Sequence, residues 1–150
     1  MTTTKSNYTN KSDRIDRSDC VEISKSNIPG AGKGVFSTKK IKKGSFLSEY
    51  KGKWYTPKQF DKKTTDSEYV WEVLNSKLEL IGYIDGKHRK YSNWTRYVNC
   101  PRNNKEWNVE AVNEDETINY YAKKDIKVGE ELFVWYGEEY GKLLNCKIKG

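Results

Sequence analysis

The sequence predicts a mostly β domain of many short strands, with few and short helices. Three observations carry that expectation. Short runs that alternate apolar and polar residues, or that collect aromatic and β-branched residues, recur along the chain. Gly, Asp, Asn and Pro punctuate them as turn signals. One pattern also occurs twice, "TKKIKKGSFL" at 38–47 and "AKKDIKVGEELF" at 122–133. Each copy holds a Lys pair, an Ile, a Lys, a Gly and then an apolar residue. That order reads as a strand, a polar turn with Gly at positive φ, and a returning strand. Hydrophobic residues are 35% and aromatics 13% of 150 residues, so the core of this one-domain chain is small and made of rings.

The elements follow in order. Residues 1–19 are rich in Ser, Thr, Asn, Asp and Lys and read as a disordered leader. "VEIS" begins the ordered part as a strand, "NIPGAGKG" is a loop, and "VFST" is a second strand. In "TPKQF", Thr56 can cap, Pro57 suits a first helical position and Gln59 completes a capping box, so a short helix reaching about residue 63 is expected. "YVWEV" reads as a strand. "LELIGYIDGKHRKY" reads as a hairpin turning at Asp85-Gly86, and "NVEAVNEDETINYYA" as a second hairpin around Glu114–Glu116. "LFVWY" is an apolar strand and "GEEYGKLL" a final turn or short helix.

The net charge is +7, unevenly spread. Residues 1–100 hold 20 Lys/Arg and 11 Asp/Glu, whereas residues 101–150 hold 8 and 10. A basic front half suits a polyanion and an acidic back half suits a basic peptide. Solvated faces without partners would give the same balance. Cys20, Cys100 and Cys146 are odd in number and widely spaced, and His88 is the one histidine, so neither a zinc site nor a disulfide framework is supported. No stretch approaches the ~20 apolar residues of a membrane helix, and residues 1–19 lack the apolar middle of a signal peptide, which points to an intracellular location. Phosphate-loop, nucleophile-elbow and HExxH patterns are missing. "GAGKG" precedes a strand and not a helix; it is either a plain turn or a place where backbone approaches a ligand. The 11 tyrosines include Tyr120 and Tyr121, which alternate faces on a strand. Such rings either pack a core or wall a channel that attracts an ammonium group.

Taken together and in this order, "GAGKGVF", "YKG", "YIDGK", "NWTRYVNCPRN" and "NYYAKKDIKVGEELFVWYGEEYG" resemble the PR/SET branch of the SET-domain protein lysine methyltransferases. The resemblance runs from about residue 21 to 144 and gives a PR/SET domain over 20–144 with a tail at 145–150. It implies a SET-domain fold of small curved β-sheets with a threaded, pseudoknot-like C-terminal segment. It implies S-adenosylmethionine as cofactor, held by Ala31, Gly32, Lys33, Tyr69, Asn99 and Cys100. It also implies a substrate-lysine channel of Tyr50, Tyr120 and Tyr136, with Tyr136 the catalytic tyrosine, and no metal. The threaded segment departs from the Asn-His-Ser-Cys of the broader family and reads "VNCPRN", as in the PR branch.

The expected function is therefore S-adenosylmethionine-dependent histone lysine N-methylation in the nucleus or on chromatin. The partners would be a basic peptide such as a histone tail, docked on acids including Glu114, Asp115, Glu116, Glu138 and Glu139, and nucleosomal DNA on the basic half. No membrane partner is expected. The alternative is a catalytically silent PR/SET module that binds protein or nucleic acid.

Overall fold

A computed structural model describes residues 14–60 and 69–135. Three small antiparallel sheets are built from eight strands: β1 (Val21–Lys25), β2 (Lys33–Ser37), β3 (Phe46–Glu49), β4 (Lys53–Tyr55), β5 (Val70–Leu74), β6 (Leu80–Asp85), β7 (Val109–Glu114) and β8 (Thr117–Ala122). Their orders are β1-β2, β3-β8-β7 and β4-β6-β5. Short 3-10 turns at Ser18–Cys20, Arg89–Tyr91 and Trp94–Tyr97 are the helical elements among the described residues. The mostly β expectation stands.

The repeated pattern folds against itself. Ile41 and Ile126 exchange backbone hydrogen bonds of 2.9 and 2.8 Å, and both side chains are buried. Gly44 and Gly129, which occupy the turns, have φ of 88° and 86°. The two polar turns thus frame one paired center instead of two separate hairpins.

Two local expectations are corrected. The hairpin turn is not at Asp85-Gly86: β6 ends there and pairs back onto β5 and β4. The turn lies at 75–79, where the Asn75 side-chain oxygen accepts the Lys77 and Glu79 amides and Asn75 N–H bonds the Glu79 carbonyl. Gly86 serves another need, because a Cβ there would stand 2.5 Å from the Tyr50 hydroxyl oxygen. "TPKQF" does form its capping box, with Thr56 and Gln59 each bonding the other's amide, but only a turn follows over 57–59; 61–63 lie outside the described residues.

The second hairpin is where the sequence put it. β7 and β8 pair from Val109↔Ala122 to Glu114↔Thr117, across Asp115 and Glu116 at φ of 51° and 59°. Tyr120 and Tyr121 face opposite ways, Tyr120 into the main core and Tyr121 onto Phe46 and Val112. Of the expected leader, residues 14–19 are described and lie on the body. Arg17 N–H bonds Leu47 O at 2.8 Å, Asp16 accepts from Ser48 Oγ and Trp94 Nε1, and Arg14 pairs with Glu114 and Asp115.

The apolar run that starts at Leu132 is not a regular strand over 132–135, its described part. It passes between two segments: Asn99 and Phe133 are bridged in parallel, as are Val109 and Val134. Val134 N–H donates to Asn99 O, Val109 N–H to Phe133 O, and Leu132 N–H to Val35 O. Asn108 binds the run through its side chain, donating to Glu131 O and accepting from Phe133 N–H. Leu132 and Val134 are fully buried. This crossing sets Asn99 beside the loop that leads into β2.

Candidate cofactor and substrate site

The Gly-rich loop is closed at its base by the Ser26 amide, which donates to Gly32 O at 2.8 Å, and Ala31 N–H turns back to Ile28 O. Gly32 has φ of 74° and a Cβ there would meet nothing within 4 Å. The backbone is left-handed, which suits glycine, and the space above it is open. An open groove of about 510 Å³ lies here, lined by Ile23, Ser24, Lys25, Gly32, Lys33 and Tyr97. Its volume falls within the range of small-molecule sites.

Asn99 enters from the other side. Its side-chain amide donates to Lys33 O at 3.0 Å and to Glu131 Oε2 at 3.3 Å. The Glu131 carboxylate is buried, at 4% exposure, and also accepts from Ser26 Oγ and Asn27 N–H, both at 2.7 Å. Gly34 is needed beside it, since a Cβ there would stand 2.3 Å from Glu131 Oε2. One carboxylate therefore ties together the loop, the Asn99 segment and the crossing run.

A line of rings leads inward from the groove. Lys33 Nζ stands 5.7 Å from the Tyr97 ring center, and the Arg96 guanidinium lies between Tyr97 and Tyr69, 4.8 and 4.6 Å from their ring centers. Arg96 is fixed by bonds to Gly86 O and Lys87 O. The Tyr69 carbonyl accepts the Tyr50 hydroxyl at 2.7 Å. Tyr50, Trp71 and Tyr120 then pack as a triad with ring centers 5.7–6.2 Å apart, and Trp71 Nε1 donates to the Tyr120 hydroxyl at 3.1 Å. Tyr50 and Tyr120 are 3% and 1% exposed.

The fold thus sets Gly32 and Lys33 on the groove, with Ala31 next to Gly32 in the chain and Asn99 bonded to Lys33 O, joins Tyr69 to it through Arg96 and Tyr97, and packs Tyr50, which bonds Tyr69 O, against Tyr120. Tyr136 lies outside the described residues, as do Glu138 and Glu139. Cys100 follows Asn99 and packs half-buried against the core. Sequence reasoning did not single out Arg96, Tyr97 or Glu131. The first two stand inside "NWTRYVNC", where flanking aromatic and polar residues were the available signal. The third looks like one more charge in a polar turn.

The acidic docking surface is partly used up. Glu114 and Asp115 pair with Arg14 at 3.3 and 2.8 Å, and Glu114 also accepts from Asn119 and the Tyr121 hydroxyl. Among the described residues, no group of three or more His, Cys, Asp or Glu could hold a metal ion.

Comparison with known proteins places these features in a family. The family described as PR domain zinc finger protein 2, PR domain, matches residues 21–147. Human histone-lysine N-methyltransferase PRDM7 is 34% identical over 128 residues, 85% of this chain and 25% of that protein. Histone-lysine N-methyltransferase set-17 of Caenorhabditis elegans is 36% identical over 121 residues, 79% of this chain and 41% of that protein. The chain therefore spans about a quarter to two fifths of these relatives. Among solved structures, the methyltransferase domain of human PR domain-containing protein 2 superposes with a TM-score of 0.66 at 27% identity, covering 92% of this chain and 91% of that one. A Chaetomium thermophilum Polycomb Repressive Complex 2 bound to S-adenosylmethionine gives a TM-score of 0.60 at 27% identity, covering 84% and 16%.

Proposed function

This chain belongs to the PR/SET-domain family, and from that premise we propose that it is an S-adenosylmethionine-dependent protein lysine N-methyltransferase acting on a histone tail in the nucleus. The observation that carries the reading is an open groove lined by Gly32 and Lys33, with Asn99 hydrogen-bonded to Lys33 O beside it, backed by Tyr69 and the buried pair Tyr50 and Tyr120. The relatives' names and the S-adenosylmethionine-bound neighbor support it.

The residues fit the cofactor. Gly32 leaves its backbone open to close approach, and Asn99 is held by Lys33 O and Glu131. Ala31, Lys33, Tyr69 and Cys100 complete the expected set. When bound, S-adenosylmethionine would supply a sulfonium methyl group to an amine: a C–N bond forms as the C–S bond breaks, the C–S electron pair stays on the leaving thioether, and the methylated ammonium gives up a proton to water. The chain's own task is to deliver that amine neutral and aligned. Lysine has a reference pKa of about 10.4, so a dry channel that penalizes charge favors the reactive form. Tyr50 and Tyr120 offer buried, hydrogen-bonded rings for such a wall, and Tyr136 is assigned the hydroxyl that meets the amine. Holding both reactants in line supplies much of the acceleration, with effective molarities of ~10⁵ M or more on record.

The histone reading extends to nucleosomal DNA. Pairing of β4 with β6 brings Lys51 and Lys53 to the side of Lys87, Arg89 and Lys90, with Lys53 Nζ 5.9 Å from the Tyr91 ring center. Lys90 Nζ stands 5.6 Å from the same ring, so two cations from segments distant in sequence meet at Tyr91, an arrangement suited to phosphate.

The test pairs two measurements on wild type and Tyr136→Phe. Calorimetry gives cofactor affinity and single-turnover kinetics give methyl transfer. Tyr136→Phe should keep affinity and lose ~10²-fold or more in transfer, as for a positioned polar group at a transition state. A folded Tyr136→Phe protein with full transfer removes Tyr136 from that role.

A further inference from the structure

Glu131 is, with Asp85, one of two buried carboxylates among the described residues. It is a carboxylate at 4% exposure with three hydrogen-bond donors, and no ion pair to it is seen among the described residues. Buried carboxylates are costly unless paired or well hydrogen-bonded. Its donors come from three places: the Ser26 hydroxyl, the Asn27 amide and the Asn99 side chain. Those groups adjoin the groove through its lining: the Ser26 amide bonds Gly32 O and the Asn99 side chain bonds Lys33 O. Gly34 gives up its side chain to make room for the same carboxylate. An apolar residue would close this crossing without the cost, so the negative charge needs a reason.

We propose that Glu131 is a positioning residue for the cofactor: its buried carboxylate locks the 26–34 loop and Asn99 into one groove wall, and its charge biases that wall toward a sulfonium ligand over the neutral thioether product. The inference rests on the S-adenosylmethionine reading and deepens it. The physical basis is that a desolvated charge without a counter-ion acts at longer range than an exposed one. The sulfonium form carries one positive charge more than S-adenosylhomocysteine. Lys25 and Lys33 on the groove are exposed and screened by solvent, whereas the buried Glu131 charge is not, so the bias from Glu131 holds substrate more firmly than product, which favors turnover.

The experiment compares wild type with Glu131→Gln, which keeps size and can still accept the Asn27 amide. Calorimetry measures affinity for S-adenosylmethionine and S-adenosylhomocysteine separately, and hydrogen exchange follows the 26–34 amides without ligand. Expected are a tenfold weaker S-adenosylmethionine affinity, a smaller loss for S-adenosylhomocysteine so that their ratio shifts at least threefold, and faster exchange confined to 26–34. Equal losses for both ligands overturn the charge bias. Unchanged affinities with unchanged exchange overturn the positioning role. Exchange that rises across all three sheets makes Glu131 a general stability residue and overturns the proposal too. If the wild type binds neither ligand, the cofactor reading fails, and the ligand bias with it; the exchange arm then still decides whether Glu131 locks the loop.

Discussion

Gly34→Ala is a severe test of the Glu131 crossing. The new Cβ would lie 2.3 Å from Glu131 Oε2, 3.0 Å from Glu131 Cδ and 3.2 Å from Ser26 Cβ. Real Cβ atoms essentially never approach below 3.0 Å, so the oxygen must retreat by 3.0 − 2.3 = 0.7 Å. That same oxygen accepts from Ser26 Oγ at 2.7 Å and Asn99 Nδ2 at 3.3 Å, and the second bond has little length to spare. A hydrogen bond to a charged group contributes about 1.5–3 kcal/mol, so disturbing one or two costs about 2–5 kcal/mol. In a domain of this size that lowers Tm by roughly 10 °C. Urea unfolding measures the free energy directly. On a Glu131→Ala background the clash is gone, and Gly34→Ala should cost less than about 1 kcal/mol, a coupling that a double-mutant cycle isolates. A cost under about 0.5 kcal/mol on the wild-type background, or equal costs on both, would refute the packing described at this crossing.

Glu116→Gly should stabilize by about 0.5–1 kcal/mol, because Glu116 sits at a φ of 59° that glycine adopts without strain; a loss of stability in urea would contradict the turn. Burial, with the Glu72 carboxylate nearby, pushes the Tyr83 hydroxyl pKa up. The folded state therefore holds that proton after the unfolded chain has lost it. Its stability is full below the free-tyrosine range and falls as pH rises through it. Tyr83→Phe should move the alkaline unfolding midpoint upward, and an unmoved midpoint would count against this shift. Chelation should leave Tm unchanged, since three scattered cysteines and one histidine offer no four-ligand set. One stoichiometric zinc per purified chain would contradict that.

Some of this was legible in the sequence because its cause is local. Gly44 and Gly129 announce their turns since positive φ is a property of single residues, and the Tyr120/Tyr121 alternation follows from the pleat. That the two Lys-Ile-Gly copies pair at Ile41 and Ile126 is a tertiary fact that neither copy encodes alone. Asp85-Gly86 misled because glycine there makes room for the Tyr50 hydroxyl, not for a turn. The run from Leu132 reads as a strand because it is apolar, yet its hydrogen bonds go to Val35, Asn99 and Asn108–Val109, which no period can show. Gly32 and Lys33, which line the groove, stand in the motif "GAGKGVF", and Asn99, which bonds Lys33 O, stands in "NWTRYVNCPRN". Glu131 was not legible, because a buried charge and a solvated one look alike in sequence. Arg14 was hidden for the same reason, and its acids at the hairpin tip looked available for a peptide when they were already paired.

The central claim is that this chain transfers a methyl group from S-adenosylmethionine to a lysine of a histone tail. The direct measurement is methyl transfer from labeled S-adenosylmethionine to separate core histones and to whole nucleosomes, with mass spectrometry locating the product. The account predicts label on a lysine side chain of one histone tail, lost with Tyr136→Phe and weakened with Asn99→Ala through cofactor affinity. A folded protein that binds S-adenosylmethionine yet labels no histone and no nucleosome would contradict it and leave a silent PR/SET module.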